Sequence, residues 1–193
     1  MTRCTYFLKC SGCDLWDTPY AEQKLSKIGY LDQLLKAQNL TETPPVDFLS
    51  CGEFALRHRT DFTIEYDANL KQHIIGFYDL NKKLMSIENC LQFSPQLQKA
   101  YSEFIKCRFY YGDTPLKKGS VRLRVSPDGF KGCWLDFSNI EIKSLLDDQK
   151  LLKQLLEAGF KVEIGQKGKR LSQQNGHLKL VDPIPEAWFK TTN

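Results

Sequence analysis

Ser120-Val121-Arg122-Leu123-Arg124-Val125-Ser126, then Pro127-Asp128, then Gly129-Phe130-Lys131-Gly132-Cys133-Trp134-Leu135-Asp136-Phe137, reads as one β-hairpin. The turn at Pro127-Asp128-Gly129 has the residues that reverse a chain. Proline presets φ, aspartate bonds the backbone beyond it, and glycine accepts a positive φ. A second hairpin is expected upstream, from Phe54–Tyr66 through the polar turn Asp67-Ala68-Asn69 to Gln72–Asp79. Phe62, Ile64 and Tyr66 alternate in its first strand, as a half-buried strand requires. Leu84–Ile87 is a short strand ending at Cys90, and Lys161–Ile164 and His177–Val181 are the later strands.

Helices are expected between these pairs. In Tyr20–Gln38, Leu25, Ile28, Leu31, Leu34 and Leu35 recur at helical spacing, so one face is apolar. Thr18 stands where an N-cap would, with Pro19 in the first turn. Pro95 opens a helix to Lys106, and Ile142–Ala158 forms another that Gly159 stops. Hairpins separated by helices, without regular βαβ repeats, give an α+β fold: a mixed or antiparallel sheet packed with about three helices.

With 41% hydrophobic and 26% charged residues, 193 residues can bury one sizeable core. The expected division is a cysteine-rich loop and helix over residues 1–40 and an α+β unit over 41–193. No apolar run is long enough to span a bilayer, and no basic-plus-apolar leader opens the chain, so a cytoplasmic location is expected. In that compartment clustered thiols signal metal or chemistry more often than disulfides, and seven cysteines cannot all pair within one chain. The formal charge of +4 permits nucleic-acid binding without arguing for it.

Cys4, Cys10 and Cys13 have the spacing C-x5-C-x2-C, and Cys90 follows far along the chain. Three thiols in one loop and a fourth from a distant segment can hold a soft metal centre. Four cysteines suit a [4Fe–4S] cluster or structural zinc. Zinc favours paired C-x2-C units, and only Cys10 and Cys13 form one, so the lone Cys4 and Cys90 favour the cluster. Cys51, Cys107 and Cys133 are scattered and assigned to the core. His58, His73 and His177 stand apart from one another as surface or core residues. Neither a phosphate-binding glycine loop nor a nucleophile elbow is present.

The pattern resembles the RNA (uracil-5-)-methyltransferase family, in its iron–sulfur branch, whose best-known members modify 23S ribosomal RNA. That branch carries C-x5-C-G-G-C, then Y-x-x-Q-L-x-x-K. Here Cys4, Cys10, Ser11, Gly12 and Cys13 are followed by Tyr20, Gln23 and Lys27, with Lys24 in place of the leucine. A Y-R-x-R segment, a strand ending G-F and C-x-x-x-x-P-x-L come next in the family. This chain has Leu56-Arg57-His58-Arg59, Gly76-Phe77, and Cys90 through Pro95 to Leu97. The resemblance implies a cluster-bearing central domain followed by a domain that binds S-adenosylmethionine. In the second domain a cysteine attacks C6 of a flipped uracil and C5 takes the methyl group. On this reading the chain carries the first part and stops before the catalytic domain. Its close, Trp188-Phe189-Lys190-Thr191-Thr192-Asn193, is similar to the family's F-F-Q-x-N segment, with Lys190 and Thr191 in place of phenylalanine and glutamine.

Three basic groups are candidate RNA contacts. Arg57 and Arg59 alternate and are expected on one strand face. Lys117, Lys118, Arg122 and Arg124 form a second group, and Lys167, Lys169 and Arg170 a third. Phe109, Tyr110 and Tyr111 could stack on unpaired bases, whereas Trp16 and Trp134 read as packing residues. Each basic group alone also fits an ordinary solvated face. Three functions stay open: the iron–sulfur, RNA-binding part of a methyltransferase, a freestanding iron–sulfur RNA-binding protein, and a zinc-stabilised structural domain. RNA is the expected partner, ribosomal before transfer RNA, with S-adenosylmethionine a cofactor only where the methyltransferase domain is joined in cis.

Overall fold

The computed structural model describes residues 4–40, 45–137, 150–166, 169–174 and 177–181. Ten strands and three helices are seen among them, and the expected α+β class holds. Eight strands form one mixed sheet: β1 (Arg59–Asp67), β2 (Gln72–Tyr78), β3 (Leu84–Ser86), β6 (Lys118–Val125), β7 (Lys131–Phe137), β8 (Lys161–Gln166), β9 (Lys169–Gln174) and β10 (His177–Val181). Their order is β10-β9-β8-β7-β6-β1-β2-β3. A separate two-stranded ribbon pairs β4 (Tyr110–Tyr111) with β5 (Thr114–Pro115).

Both expected hairpins form. β6 turns into β7 at residues 126–130, where Gly129 takes φ 89° and Ser126 N donates to Phe130 O at 2.8 Å. β1 turns into β2 where Asp67 Oδ1 accepts from Asn69 N and Leu70 N. The exception to antiparallel pairing is β7 beside β8, which run parallel with α3 (Lys150–Glu157) in the connection. Parallel neighbours need such a crossover. The expected helix over Ile142–Ala158 is seen in its second half, and its first half lies outside the described residues. β9 was not expected from the sequence, where its residues read only as a basic group.

Register sets the core. Phe62 faces Val121 across β1 and β6, Val121 faces Leu135 across β6 and β7, and Cys133 faces Val162 across β7 and β8. This inward row is buried, and α2 (Pro95–Phe104) and α3 cover it. Ser94 caps α2 by accepting from Leu97 N at 3.2 Å, and Pro95 sits in the first turn, where its missing N–H costs nothing. Leu97, Ala100, Tyr101 and Phe104 then fall on one face. Phe62 meets Tyr101 and Phe104 edge-on at centroid distances of 5.2 and 5.4 Å.

The buried Tyr101 hydroxyl donates to Ile87 O at 2.7 Å, where the chain leaves β3 for Cys90. Burial pushes this phenol well up, so it stays a donor throughout the neutral range. Tyr101→Phe leaves that carbonyl short of a partner and is expected to cost about 1–2 kcal/mol, read from chemical denaturation.

α1 (Tyr20–Ala37) forms where expected, but none of its residues is buried. Leu25 is 70% exposed and Leu34 45%, so its apolar face is not covered by the described residues. The expected Thr18 cap is also replaced. Pro19 occupies the cap position without a side-chain bond, and Gln23 Nε2 ties the preceding loop instead, donating to Leu15 O and Thr18 O.

Candidate metal centre

The N-terminal loop is short of regular structure, so its shape comes from local bonds and from the sheet edge it meets. Phe7 N donates to Cys4 O, and Lys9 N and Cys10 N both donate to Tyr6 O, coiling Cys4 toward Cys10. Leu8 takes φ 68°, a left-handed conformation that a leucine adopts only under constraint. The loop is then fixed to the turn between β2 and β3 by an antiparallel bridge of Cys10 with Asp79, which includes Leu80 N to Lys9 O, and by Ser11 Oγ to Tyr78 O. Asp79 Oδ1 holds that turn by accepting from Asn81 N and Lys83 N. From the other side Glu88 N donates to Tyr6 Oη at 3.1 Å.

Cys90 arrives on the segment between β3 and α2. Its N–H donates to Gln98 Oε1 at 3.1 Å, while Gln98 Nε2 donates to Glu88 O. One α2 side chain thus sets the height of the fourth cysteine. Residues 55–57 run beside residues 91–94 through Ala55 N to Leu91 O, Arg57 N to Gln92 O and Ser94 N to Arg57 O. The Arg57 side chain reaches back to the cysteine loop and donates to Gly12 O at 3.0 Å. A Cβ on Gly12 would stand 3.3 Å from Cys10 Sγ, a tight contact that a shift of the sulfur by a few tenths of an ångström would relieve.

The outcome is one pocket that all four predicted cysteines line, together with Gly12, Arg57 and the aromatic side chains Tyr6, Phe7, Trp16 and Phe77. Each of the four thiols is half-buried. Burial raises Cys13 and Cys90 above the usual thiol range. Arg57 opposes the rise at both, and the neighbouring cysteines of the group add to it. Among the described residues no group of three or more His, Cys, Asp or Glu side chains is drawn together as a metal-ion site.

Of the other cysteines, Cys133 is fully buried and Cys107 packs against the core, as expected. Cys51 is exposed, which corrects its assignment to the core; its segment is irregular and lies off the sheet.

The basic residues divide. Arg57 precedes β1 and turns to the pocket, because Ala55 takes φ 58° and the chain pairs with residues 91–94 before entering the sheet. Its expected place on one strand with Arg59 is therefore corrected: Arg59 begins β1 opposite Arg124. Arg124 binds Asp61 at 2.7 Å, Lys118 binds Glu65 at 3.3 Å, and the Arg122 guanidinium lies over Trp134, 5.5 Å from the ring centroid. Lys118, Arg122 and Arg124 alternate with buried Gly119, Val121 and Leu123, so they share the sheet face opposite the helices. Lys117 immediately precedes β6, and its carbonyl accepts from Tyr66 N. Lys169 and Arg170 open β9, and Lys167 lies outside the described residues. Phe109 is buried against Phe104 and cannot serve as a base platform. Tyr110 packs against Tyr66 and His73. Tyr6, Asp79 and Gln98 were missed by sequence reasoning. Gln98 is the residue after Leu97 of the C-x-x-x-x-P-x-L segment, so that segment pointed to its neighbourhood and not to its role.

Compared along its sequence, the chain is 39% identical over 189 residues to an uncharacterized RNA methyltransferase of Bdellovibrio bacteriovorus, an alignment covering 97% of this chain and 46% of that protein. It is 32% identical over 102 residues to the 23S rRNA (uracil(1939)-C(5))-methyltransferase RlmD of Pseudomonas savastanoi pv. phaseolicola, covering 52% of this chain and 23% of the relative. The enzyme of the same name from Chromohalobacter salexigens is 28% identical over 127 residues, covering 65% of this chain and 26% of the relative. The chain is similar to RNA methyltransferases, among them 23S rRNA uracil-C5 enzymes. It spans less than half the length of these relatives. No protein-family model matches it. Among the described residues no helix is long and apolar enough to cross a membrane.

Proposed function

We propose that this chain is the iron–sulfur, RNA-contacting part of an S-adenosylmethionine-dependent RNA uracil-C5 methyltransferase, acting on 23S ribosomal RNA. The carrying observation is that Cys4, Cys10, Cys13 and Cys90, read from sequence as a ligand set, line one pocket although Cys90 lies far along the chain. The donor set fits a [4Fe–4S] cluster in its chemistry: among the described residues, four thiols and no competing carboxylate or imidazole line the pocket. A single zinc ion would need all four sulfurs about 2.3 Å from one point, whereas in a polynuclear centre each thiolate bonds its own iron.

The cluster's part is structural. Bound there, it would supply four sulfur–iron bonds that lock the loop of residues 4–19 to the segment between β3 and α2 that carries Cys90. Methyl transfer to uracil itself moves no electron to or from the protein. The substrate follows from the relatives' names, and Arg59, Lys118, Arg122 and Arg124 on the open sheet face are the proposed phosphate contacts. Lys117 beside them, and Lys167, Lys169 and Arg170 at β9, are proposed to extend that contact. S-adenosylmethionine and the reacting cysteine belong to a methyltransferase domain in cis. For the RNA reading, Arg59→Ala combined with Arg122→Ala is expected to weaken binding to 23S rRNA fragments. It should also lower the salt slope by about one for each phosphate contact removed. Unchanged affinity and slope would remove the open sheet face from the interface.

A further inference from the structure

Arg57 and Arg59 look equivalent in the sequence, and the fold separates them. Arg57 is tied by its backbone on both sides to the strip that carries Cys90, through Arg57 N to Gln92 O at 2.7 Å and Ser94 N to Arg57 O at 2.8 Å. Its side chain lines the pocket and donates from Nη2 to Gly12 O, between Cys10 and Cys13. Among the described residues lining the pocket, Arg57 is the one cation.

We infer that Arg57 is a positioning residue of the four-cysteine pocket, bracing the Cys10–Cys13 turn against the Cys90 segment and balancing thiolate charge, and is not an RNA phosphate contact. The inference rests on reading that pocket as a metal centre. The guanidinium suits both tasks. It is a rigid fork with five N–H donors, so one can hold Gly12 O while others face the sulfurs, and its charge does not titrate away. A lysine would keep the charge and lose the fork. A charge-assisted bond is stronger than a neutral one, but solvent screens this one because Arg57 is exposed as a residue.

The test compares Arg57→Ala, Arg57→Lys and Arg59→Ala in the same full chain, with two independent readouts. In the metal-free chain, hydrogen exchange is followed at the Lys9 and Cys10 amides, which Tyr6 O holds. Arg57→Ala and Arg57→Lys should each exchange about tenfold faster there, the scale of one bond to a charged group, and Arg59→Ala at the original rate. In the iron-loaded chain, Arg57→Ala should bleach in air about tenfold sooner, the low end for loss of an outer-sphere partner, and show a lower reduction potential. Arg57→Lys should retain the potential, because it retains the charge. Wild-type exchange and wild-type potential in Arg57→Ala would overturn the inference, as would equal effects from Arg59→Ala. A chain that takes up no iron at all overturns the metal reading and the charge-balancing role with it. The exchange arm then still decides whether Arg57 braces the loop.

Discussion

Replacing Cys10 with serine is expected to abolish iron binding while leaving the sheet and its helices folded. Cys10 sits at the centre of the site: its backbone bridges Asp79, its N–H is held by Tyr6 O, and its side chain lines the pocket with the other three thiols. Serine keeps the backbone bonds and removes the soft donor, whose thiolate is what iron selects. The core formed by Phe62, Val121, Leu123, Leu135 and the two covering helices does not include this loop, so its folding does not depend on the metal. Circular dichroism of the Cys10→Ser chain should therefore match the parent in strand and helix content, while its visible absorption disappears. Cys51→Ser is the matched control, since Cys51 is exposed and outside the pocket. It should keep the full colour. Equal colour in the Cys10 variant would remove that residue from the ligand set.

Gly76→Ala carries the second large effect, and it acts on fold and site together. Gly76 lies on β2 opposite Ser86 of β3, and an added Cβ would stand 2.0 Å from Met85 O and 3.0 Å from Ile87 N. Both are backbone atoms that no rotamer change can move. β3 would have to leave β2, breaking the pairs Gly76–Ser86 and Phe77–Met85. It would take with it Ile87 O, the acceptor of the buried Tyr101 hydroxyl, and the lead into Cys90. Overpacking of this kind costs about 1–3 kcal/mol in side-chain cores, and a rigid backbone neighbour places it at the upper end. The expected result is a loss of about 3 kcal/mol in urea unfolding, with weaker iron retention under native conditions. A change within 0.5 kcal/mol, the range usual for surface substitutions, would mean that β3 is not paired as described.

How much of this was legible beforehand depends on the range of the interaction responsible. Both hairpins, the start of α2 at Pro95 and the stop at Gly159 rest on residues within one turn of each other, and the sequence pattern places them within a few residues. The parallel pairing of β7 with β8 depends on how a crossover packs, and no local signal carries it. β9 lacks the apolar alternation of a half-buried strand, and its pairing with β8 and β10 holds it in the sheet. α1 shows the reverse case: its periodic leucines specify a helix, but periodicity cannot supply a surface to bury them against.

The candidate site divides the same way. Cysteine spacing named the residues that line the pocket, because ligand chemistry depends on side-chain type. It could not name the side chains that hold them, since Tyr6, Asp79 and Gln98 act through one or two hydrogen bonds each and are ordinary residue types. Arg57 was picked out by its charge, and the fold gives that charge a partner within the chain. Its charge marked it as a phosphate contact, while the left-handed residue at Ala55 and the pairing with residues 91–94 bring its side chain to Gly12 O in the cysteine loop. Charge in a sequence has no direction until the backbone supplies one.

The most direct test of the metal centre is elemental analysis of the chain purified without oxygen, with iron, acid-labile sulfide and zinc measured on one sample. About four iron and about four sulfide per chain, with negligible zinc, is the expected result. About one zinc per chain, with no iron or sulfide, would contradict it and leave a zinc-stabilised loop in its place.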